Sequence, residues 1–268
     1  VGVVIALAAA DVADACDLFL PVWEATGGAD GYVSMEVDPT YAFDLQATLD
    51  EGMRLHAEVN KPNLLVKIPA TSPGLVAIEE MIARGKSINV TLIFSLERYQ
   101  QVADAYITGL ERLVEDGGDP STVHSVASFF VSRVDSEADK RLDAIGGHDH
   151  LKGKLAVANA KLAYARYHAL FSGERWETLA AKGARTQRCL WASTSTKNPA
   201  YPDTLYVSEL IGPDTVNTMP EETIQAFQDH GEPAATLASG VDEAADLLRA
   251  LTAAGVDYDD VTALLEKE

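Results

Sequence analysis

The sequence predicts an α/β protein, a (β/α)8 TIM barrel of which six of the eight strands are visible. Three observations carry this. Short apolar runs alternate without a break with helix-length stretches, the pattern of parallel strands joined by helical crossovers. No G-x-G-x-x-G turn and no P-loop follows any strand, as a doubly wound nucleotide fold would require. Polar residues recur in the later half or at the end of successive strands (Glu36, Lys67, Asn89 with Thr91, Ser128, Ser193), which is how a barrel gathers functional groups on one rim. No repeat, low-complexity tract or Pro/Gly-rich linker divides the 268 residues, so one domain is expected over 1–268.

Each element has its own signature. Residues 10–26 read as an amphipathic helix closed by Gly27-Gly28. Residues 31–38 form a strand with Ser34, Glu36 and Asp38 on one face and Val33, Met35 and Val37 on the other. Pro39 opens a helix to about Val59, with a polar exit at Asn60-Lys61-Pro62. The strand at 63–71 follows, then a helix from Ser72-Pro73-Gly74 to about Arg84, closed by Gly85. Residues 87–94 are a third strand, with Asn89, Thr91 and Ile93 on one face and Val90, Leu92 and Phe94 on the other. A long helix runs from Ser95 to about Asp116 and stops at Gly117-Gly118. Residues 123–133 are a fourth strand, carrying Ser128 and Phe130 on one face and ending at Arg133. Residues 135–177 are mostly helical, broken near Gly146-Gly147. The fifth strand is 188–194, followed by the loop 195–199 and a short helix near 205–210. A short sixth strand at 214–219, a helix opened by Pro220, and helices at about 241–254 and 258–267 finish the chain.

The stretch Asn63-Leu64-Leu65-Val66-Lys67-Ile68-Pro69-Ala70-Thr71 organises the rest. It reads as a buried parallel strand with a lysine in its middle. A lysine on an inner face is desolvated, which disfavours the ammonium and leaves a neutral amine able to attack a carbonyl. The plainer alternative is a lysine that reaches water at a strand end or pairs with an acid. Glu36, one strand earlier on the inward face, is the best candidate for the carboxylate that would move protons for such an amine, and equally for its salt-bridge partner. Ser193 and Lys197 lie at and after the end of the fifth visible strand and Arg133 ends the fourth, and barrels often hold phosphate at the loops after late strands. A helix-capping arginine and a surface lysine are the competing reading.

Composition excludes several classes. Forty-one acids against 21 bases give a net charge of −20, which argues against nucleic-acid binding. No run is long and apolar enough for a membrane helix, and no signal peptide is evident. Cys16 and Cys189 show no disulfide spacing, so a reduced, cytoplasmic setting is expected. His148-Asp149-His150 lacks the geometry of a known metal site. Glu111, Arg112 and Glu115 read as a solvated helix face. Trp176 and Trp191 read as packing residues, with Trp191 also placed to line a pocket rim. The chain does not decide between monomer and homodimer.

Six stretches in this order resemble the transaldolase family: Val33-Ser34-Met35-Glu36-Val37-Asp38, Leu65-Val66-Lys67-Ile68-Pro69-Ala70-Thr71, Ile88-Asn89-Val90-Thr91-Leu92-Ile93-Phe94-Ser95, Ala127-Ser128-Phe129-Phe130-Val131-Ser132-Arg133, Leu190-Trp191-Ala192-Ser193-Thr194 and Thr215-Val216-Asn217-Thr218-Met219-Pro220. The resemblance covers about residues 31–230. It implies a TIM barrel that forms a Schiff base between a lysine and a ketose phosphate, in the non-oxidative pentose phosphate pathway. It implies Lys67 as that lysine, Glu36 as the acid/base working through a bound water, and Thr91 as the residue orienting that water. It further implies that Asn89 contacts substrate, Ser128 hydrogen-bonds the sugar chain, Phe130 forms the pocket wall, and Arg133, Ser193 and Lys197 hold the phosphate. No cofactor and no metal is implied, since the iminium replaces a Lewis acid; the partners are small sugar phosphates.

The sequence departs from the family at its start. The family's first strand carries an aspartate that serves as base in carbon–carbon cleavage, and its second a Thr-Thr-Asn-Pro motif; neither appears here. Two strand–helix units are therefore expected ahead of residue 1, with the chain an incomplete record of a longer protein, and a closing helix is expected beyond residue 268. A related Schiff-base aldolase and an inactive sugar-phosphate-binding protein are the alternatives.

Overall fold

The computed structural model describes residues 2–267, with side chains from Leu7 onward. Six strands form one sheet in chain order: β1 (Val33–Glu36), β2 (Leu64–Pro69), β3 (Ile88–Ile93), β4 (Ser125–Phe130), β5 (Arg188–Ala192) and β6 (Thr215–Asn217). β1 with β2, β2 with β3, and β5 with β6 run parallel. The helices among the described residues are α1 (Gly2–Ala25), α2 (Leu45–Val59), α3 (Ser72–Ala83), α4 (Leu96–Glu115), α5 (Ser132–Ile145), α6 (Leu155–Leu170), α7 (Glu174–Ala180), α8 (Leu205–Ser208), α9 (Glu221–His230), α10 (Val241–Ala253) and α11 (Tyr258–Leu265). None is long and apolar enough to cross a membrane. Consecutive strands that neighbour each other, with helices between, are the βαβ arrangement that the alternation predicts.

The chain divides into two compact units. The first runs to Thr91 and adds Gln101–Val126 and Glu174–Gln187. Its core forms between the apolar face of β2, where Leu64, Val66 and Ile68 are fully buried, and α2, which presents Thr48, Gly52, Leu55 and Val59 at helical spacing. Gly52 faces this strand: a Cβ there would lie in ordinary contact with Val66 Cγ1 at 3.8 Å and 3.3 Å from the flexible end of Met81.

Two boundaries differ from the sequence reading. The helix expected from Pro39 is two pieces, a 3-10 turn at Pro39–Tyr41 and then α2. Asp38 accepts from Thr40 N–H and Asp44 from Ala47 N–H, and Asp44 is extended, so each aspartate starts its own turn. Asn60 in the left-handed region ends α2. The helix expected over 10–26 already begins at Gly2, because the Ala-rich stretch before it favours helix.

The second unit comprises Leu92–Gln100, Ala127–Gly173 and the chain from Arg188 onward. Phe129 packs edge-on against Tyr99 and Trp191, with ring centroids 6.3 and 6.1 Å away. Trp191 is fully buried, so it is a core residue and not part of a rim; Trp176 is buried as expected. Asn159, also fully buried, donates to the Phe94 carbonyl at 2.8 Å and accepts from Tyr258 Oη at 2.7 Å, tying α6 to the start of α4 and to α11.

The third and fourth strands also differ from expectation. Leu92 has φ +59, which turns its side chain out and leaves both Ile93 and Phe94 buried, so the alternation expected there does not hold. β4 ends at Phe130 because α5 begins at Ser132; Arg133 is therefore in the first turn of a helix and not at a strand end. Glu111 and Arg112 are not simply solvated. Glu111 accepts from Arg175 at 2.8 Å, and Arg112 bridges Glu79 and Glu80 at 2.9 and 2.7 Å.

Candidate active site

The registers of β1, β2 and β3 align Glu36 with Lys67 and Lys67 with Asn89. Residues paired across parallel strands project on the same side, so these three form one row on one face of the sheet. Lys67 is the single residue of β2 that is not buried, and its Nζ lies 2.9 Å from Glu36 Oε2. Asn89 Nδ2 donates to Ser34 Oγ at 3.0 Å, on the same face of β1. Thr91 stands one row further along, opposite Pro69. It is fully buried, and its hydroxyl has no protein partner among the described residues.

The chain leaves β2 by a turn that admits only glycine. A Cβ on Gly74 would come within 2.1 Å of the Pro69 carbonyl oxygen. Thr71 Oγ1 caps the new helix by accepting from Gly74 N–H at 3.0 Å and donates to the Ala42 carbonyl. The end of β2 is thus tied to the segment after β1 through Thr71 and to β3 through Ala70 N–H, which donates to the Thr91 carbonyl at 2.8 Å.

In the second unit Ser128 and Phe130 are buried on β4, and the Phe130 ring lies 5.5 Å from that of Phe94. The Arg133 guanidinium sits over the Phe130 ring, 4.9 Å from its centroid. Ser193 follows β5 in the left-handed region at φ +56, its hydroxyl 2.8 Å from that of Ser132. Ser132 N–H donates to the Ser193 carbonyl at 3.0 Å, so the start of α5 is bound to the end of β5. Lys197 is exposed and donates to Ser195 Oγ at 2.8 Å. Neither Arg133 nor Lys197 is paired with a carboxylate among the described residues. On a chain with a −20 charge, each is a cation without a carboxylate partner among the described residues, a property that an anion site requires.

The sequence matches the Transaldolase/Fructose-6-phosphate aldolase family over residues 2–268. It is 58% identical to the Transaldolase of Arthrobacter sp. (strain FB24) over 261 residues, 96% of this chain and 70% of that protein. It is 57% identical to the Transaldolase of Acidothermus cellulolyticus over 265 residues, 98% of this chain and 71% of that protein. The Transaldolase of Frankia alni is 55% identical over 266 residues, with 98% and 72% of the two chains covered. The chain belongs to the transaldolase/fructose-6-phosphate aldolase family. The family fold is the TIM barrel, and six strands in chain order with helices between them follow its plan.

Membership in this family directs attention to the row on β1–β3. Within the first unit the structure brings together Glu36, Lys67 and Asn89, with Thr91 one row on. Within the second it joins Arg133 to Phe130, and Ser193 to the residue preceding Arg133. Sequence reasoning did not select Ser34 and Ser132, the partners of Asn89 and Ser193. Ser34 shares the polar face of its strand with Glu36, and that periodicity was the available signal. Asp149 pairs with Lys152 at 2.5 Å. The two cysteines are buried thiols, and burial pushes Cys189 up to about 12 and Cys16 upward.

Proposed function

We propose that this chain is a transaldolase that transfers a dihydroxyacetone unit through a Schiff base on Lys67. The donor is a ketose phosphate, sedoheptulose 7-phosphate or fructose 6-phosphate; the acceptor is an aldose phosphate, glyceraldehyde 3-phosphate or erythrose 4-phosphate. The observation that carries the reading is the Glu36–Lys67–Asn89 row, with amine and carboxylate 2.9 Å apart and both reachable by solvent.

The amine of Lys67 adds to the donor ketone, and loss of water gives an iminium. Removal of the proton from the β hydroxyl breaks the bond between the α and β carbons and releases the β carbon as an aldehyde, and the bonding electrons enter the iminium to leave a three-carbon enamine on Lys67. The enamine carbon attacks the acceptor aldehyde, which takes up a proton as the new hydroxyl. Hydrolysis of the resulting iminium frees Lys67. These steps move protons, and for Schiff-base formation and hydrolysis Glu36 supplies a carboxylate, working through a water that Thr91 orients. The buried Thr91 hydroxyl, without a protein partner among the described residues, supports that role. Asn89 contacts the substrate, Ser128 hydrogen-bonds the sugar chain and Phe130 walls the pocket. Arg133, Ser193 and Lys197 take the phosphate. The iminium serves as electron sink, so the chemistry requires no metal.

Borohydride trapping with fructose 6-phosphate, read by intact mass and peptide mapping, tests the proposal. A stable adduct on Lys67 is expected, and prior addition of erythrose 4-phosphate should deplete it. An adduct that erythrose 4-phosphate leaves intact would make the protein an aldolase, and an adduct on another lysine would refute the site.

A further inference from the structure

One face of α5 carries Ser132, Asp135 and Asp139, at the i, i+3, i+7 spacing of residues stacked along a helix. Each is used to hold the segment that follows β5. Ser132 binds Ser193 through its hydroxyl and its backbone. Tyr201 Oη donates to Asp139 Oδ2 at 2.5 Å, and Tyr206 Oη donates to Asp135 Oδ2 at 2.8 Å. The other oxygen of each carboxylate is also engaged, Asp135 Oδ1 by Ala156 N–H at 2.7 Å and Asp139 Oδ1 by Gly153 N–H at 2.9 Å. Both carboxylates are therefore fixed from the side opposite the tyrosines.

The Tyr201 ring rests directly on Gly153. A Cβ at that position would come 2.6 Å from the ring's Cζ, and Gly153 has φ +66, so glycine is required twice over. Lys197 lies between the anchors at Ser193 and Tyr201, in a stretch without regular structure. Arg133 is on the same helix that bears the anchors.

We propose that Asp139 and Tyr201 are a positioning pair that holds the Lys197 loop in register with Arg133, with α5 as the common strut, so that both cations meet one phosphate. This rests on the phosphate role given above to Arg133, Ser193 and Lys197. The pair does not touch the reacting atoms. It removes the freedom of a loop that would otherwise have to be ordered when the anion binds.

The test compares Tyr201→Phe, Asp139→Asn and Gly153→Ala with Asp143→Asn, a control on the same helix whose carboxylate binds only Lys152 among the described residues. Calorimetry measures inorganic phosphate binding, steady-state rates give kcat and KM for fructose 6-phosphate, and borohydride trapping with unphosphorylated dihydroxyacetone reads Lys67 without phosphate. Loss of one charge-assisted hydrogen bond is expected to weaken phosphate binding and raise KM by about tenfold. The kcat, the dihydroxyacetone adduct and the control should not change. Equal phosphate affinity in wild type and all three variants overturns the proposal, as does a parallel fall of kcat, adduct yield and phosphate binding, which marks a merely structural role. Failure of the Schiff-base reading is separate: the wild type would then form no adduct with either ketone, while the phosphate comparison still decides the positioning pair.

Discussion

Replacing Glu36 with Gln separates two roles that its contact with Lys67 superimposes. As a salt-bridge partner, Glu36 has 38% of its side chain exposed and Lys67 27%, at a separation of 2.9 Å. In water the Coulomb energy at that distance is ~1.4 kcal/mol. Screening and the entropy of fixing two long side chains reduce partly exposed pairs to about 0.2–1 kcal/mol. As acid/base, the same carboxylate is worth about 10²–10⁴ in rate, or ~2.7–5.4 kcal/mol of activation free energy. Gln keeps the volume and one acceptor oxygen but cannot accept a proton at neutral pH. E36Q should therefore unfold in urea within about 1 kcal/mol of the wild type, while kcat falls at least ~100-fold. Tryptophan fluorescence follows the unfolding and a coupled assay for the released aldehyde follows the rate. A stability loss above ~2 kcal/mol with kcat within about fivefold of wild type would refute the reasoning and make Glu36 a structural counter-ion.

Three further outcomes follow from the geometry. Thr91→Val removes a buried hydroxyl that has no protein partner among the described residues, so unfolding free energy should change by less than ~0.5 kcal/mol while kcat drops by about tenfold or more; an unchanged kcat would remove Thr91 from the mechanism. Gly109→Ala places a methyl 2.7 Å from Ile82 Cβ and 2.8 Å from the Glu79 carbonyl, and the overpacking should cost about 1–3 kcal/mol in urea unfolding; a stabilised variant would show that α3 and α4 can separate freely. Burial raises the Asp135 carboxyl from 3.8 to about 6, against the opposing bonds from Ala156 and Tyr206. Between those values the folded state holds a proton that the unfolded chain has released, so stability falls as pH rises through the window, by up to about 3 kcal/mol. Subtracting the pH profile of D135N from that of the wild type should isolate this slope, and a flat difference from pH 4 to 6 would contradict it.

The row of Glu36, Lys67 and Asn89 was legible because strand periodicity is two, with Glu36 and Asn89 each sharing a face with a hydroxyl residue and Lys67 the one charged residue in a short apolar run. What periodicity cannot give is register. Whether Glu36 stands opposite Lys67 or one row away depends on how two strands slide, and the hydrogen-bond ladder between them fixes that. Arg133 shows a different limit. Its run of apolar neighbours reads as strand through residue 133, yet Val131 and Ser132 pair with the end of β5 and the chain turns into α5 there. Leu92 was invisible for a third reason. A leucine in the left-handed region costs about 1–2 kcal/mol, and no local preference announces it.

The sequence by itself determined the order of strands and helices, the shared face of Ser34 and Glu36 on β1, and the resemblance to the family, and it singled out Lys67 as the candidate for the chemistry proposed here. These are local or linear properties, set by period, capping and composition. Only the tertiary structure decided that Lys67 meets Glu36 at 2.9 Å, that Trp191 is core, and that α5 uses one face to hold the loop of Lys197. Such facts join residues 31 to 62 positions apart, and no pattern within a short window encodes them. They follow from the requirement that buried polar groups find partners wherever the packed chain brings them.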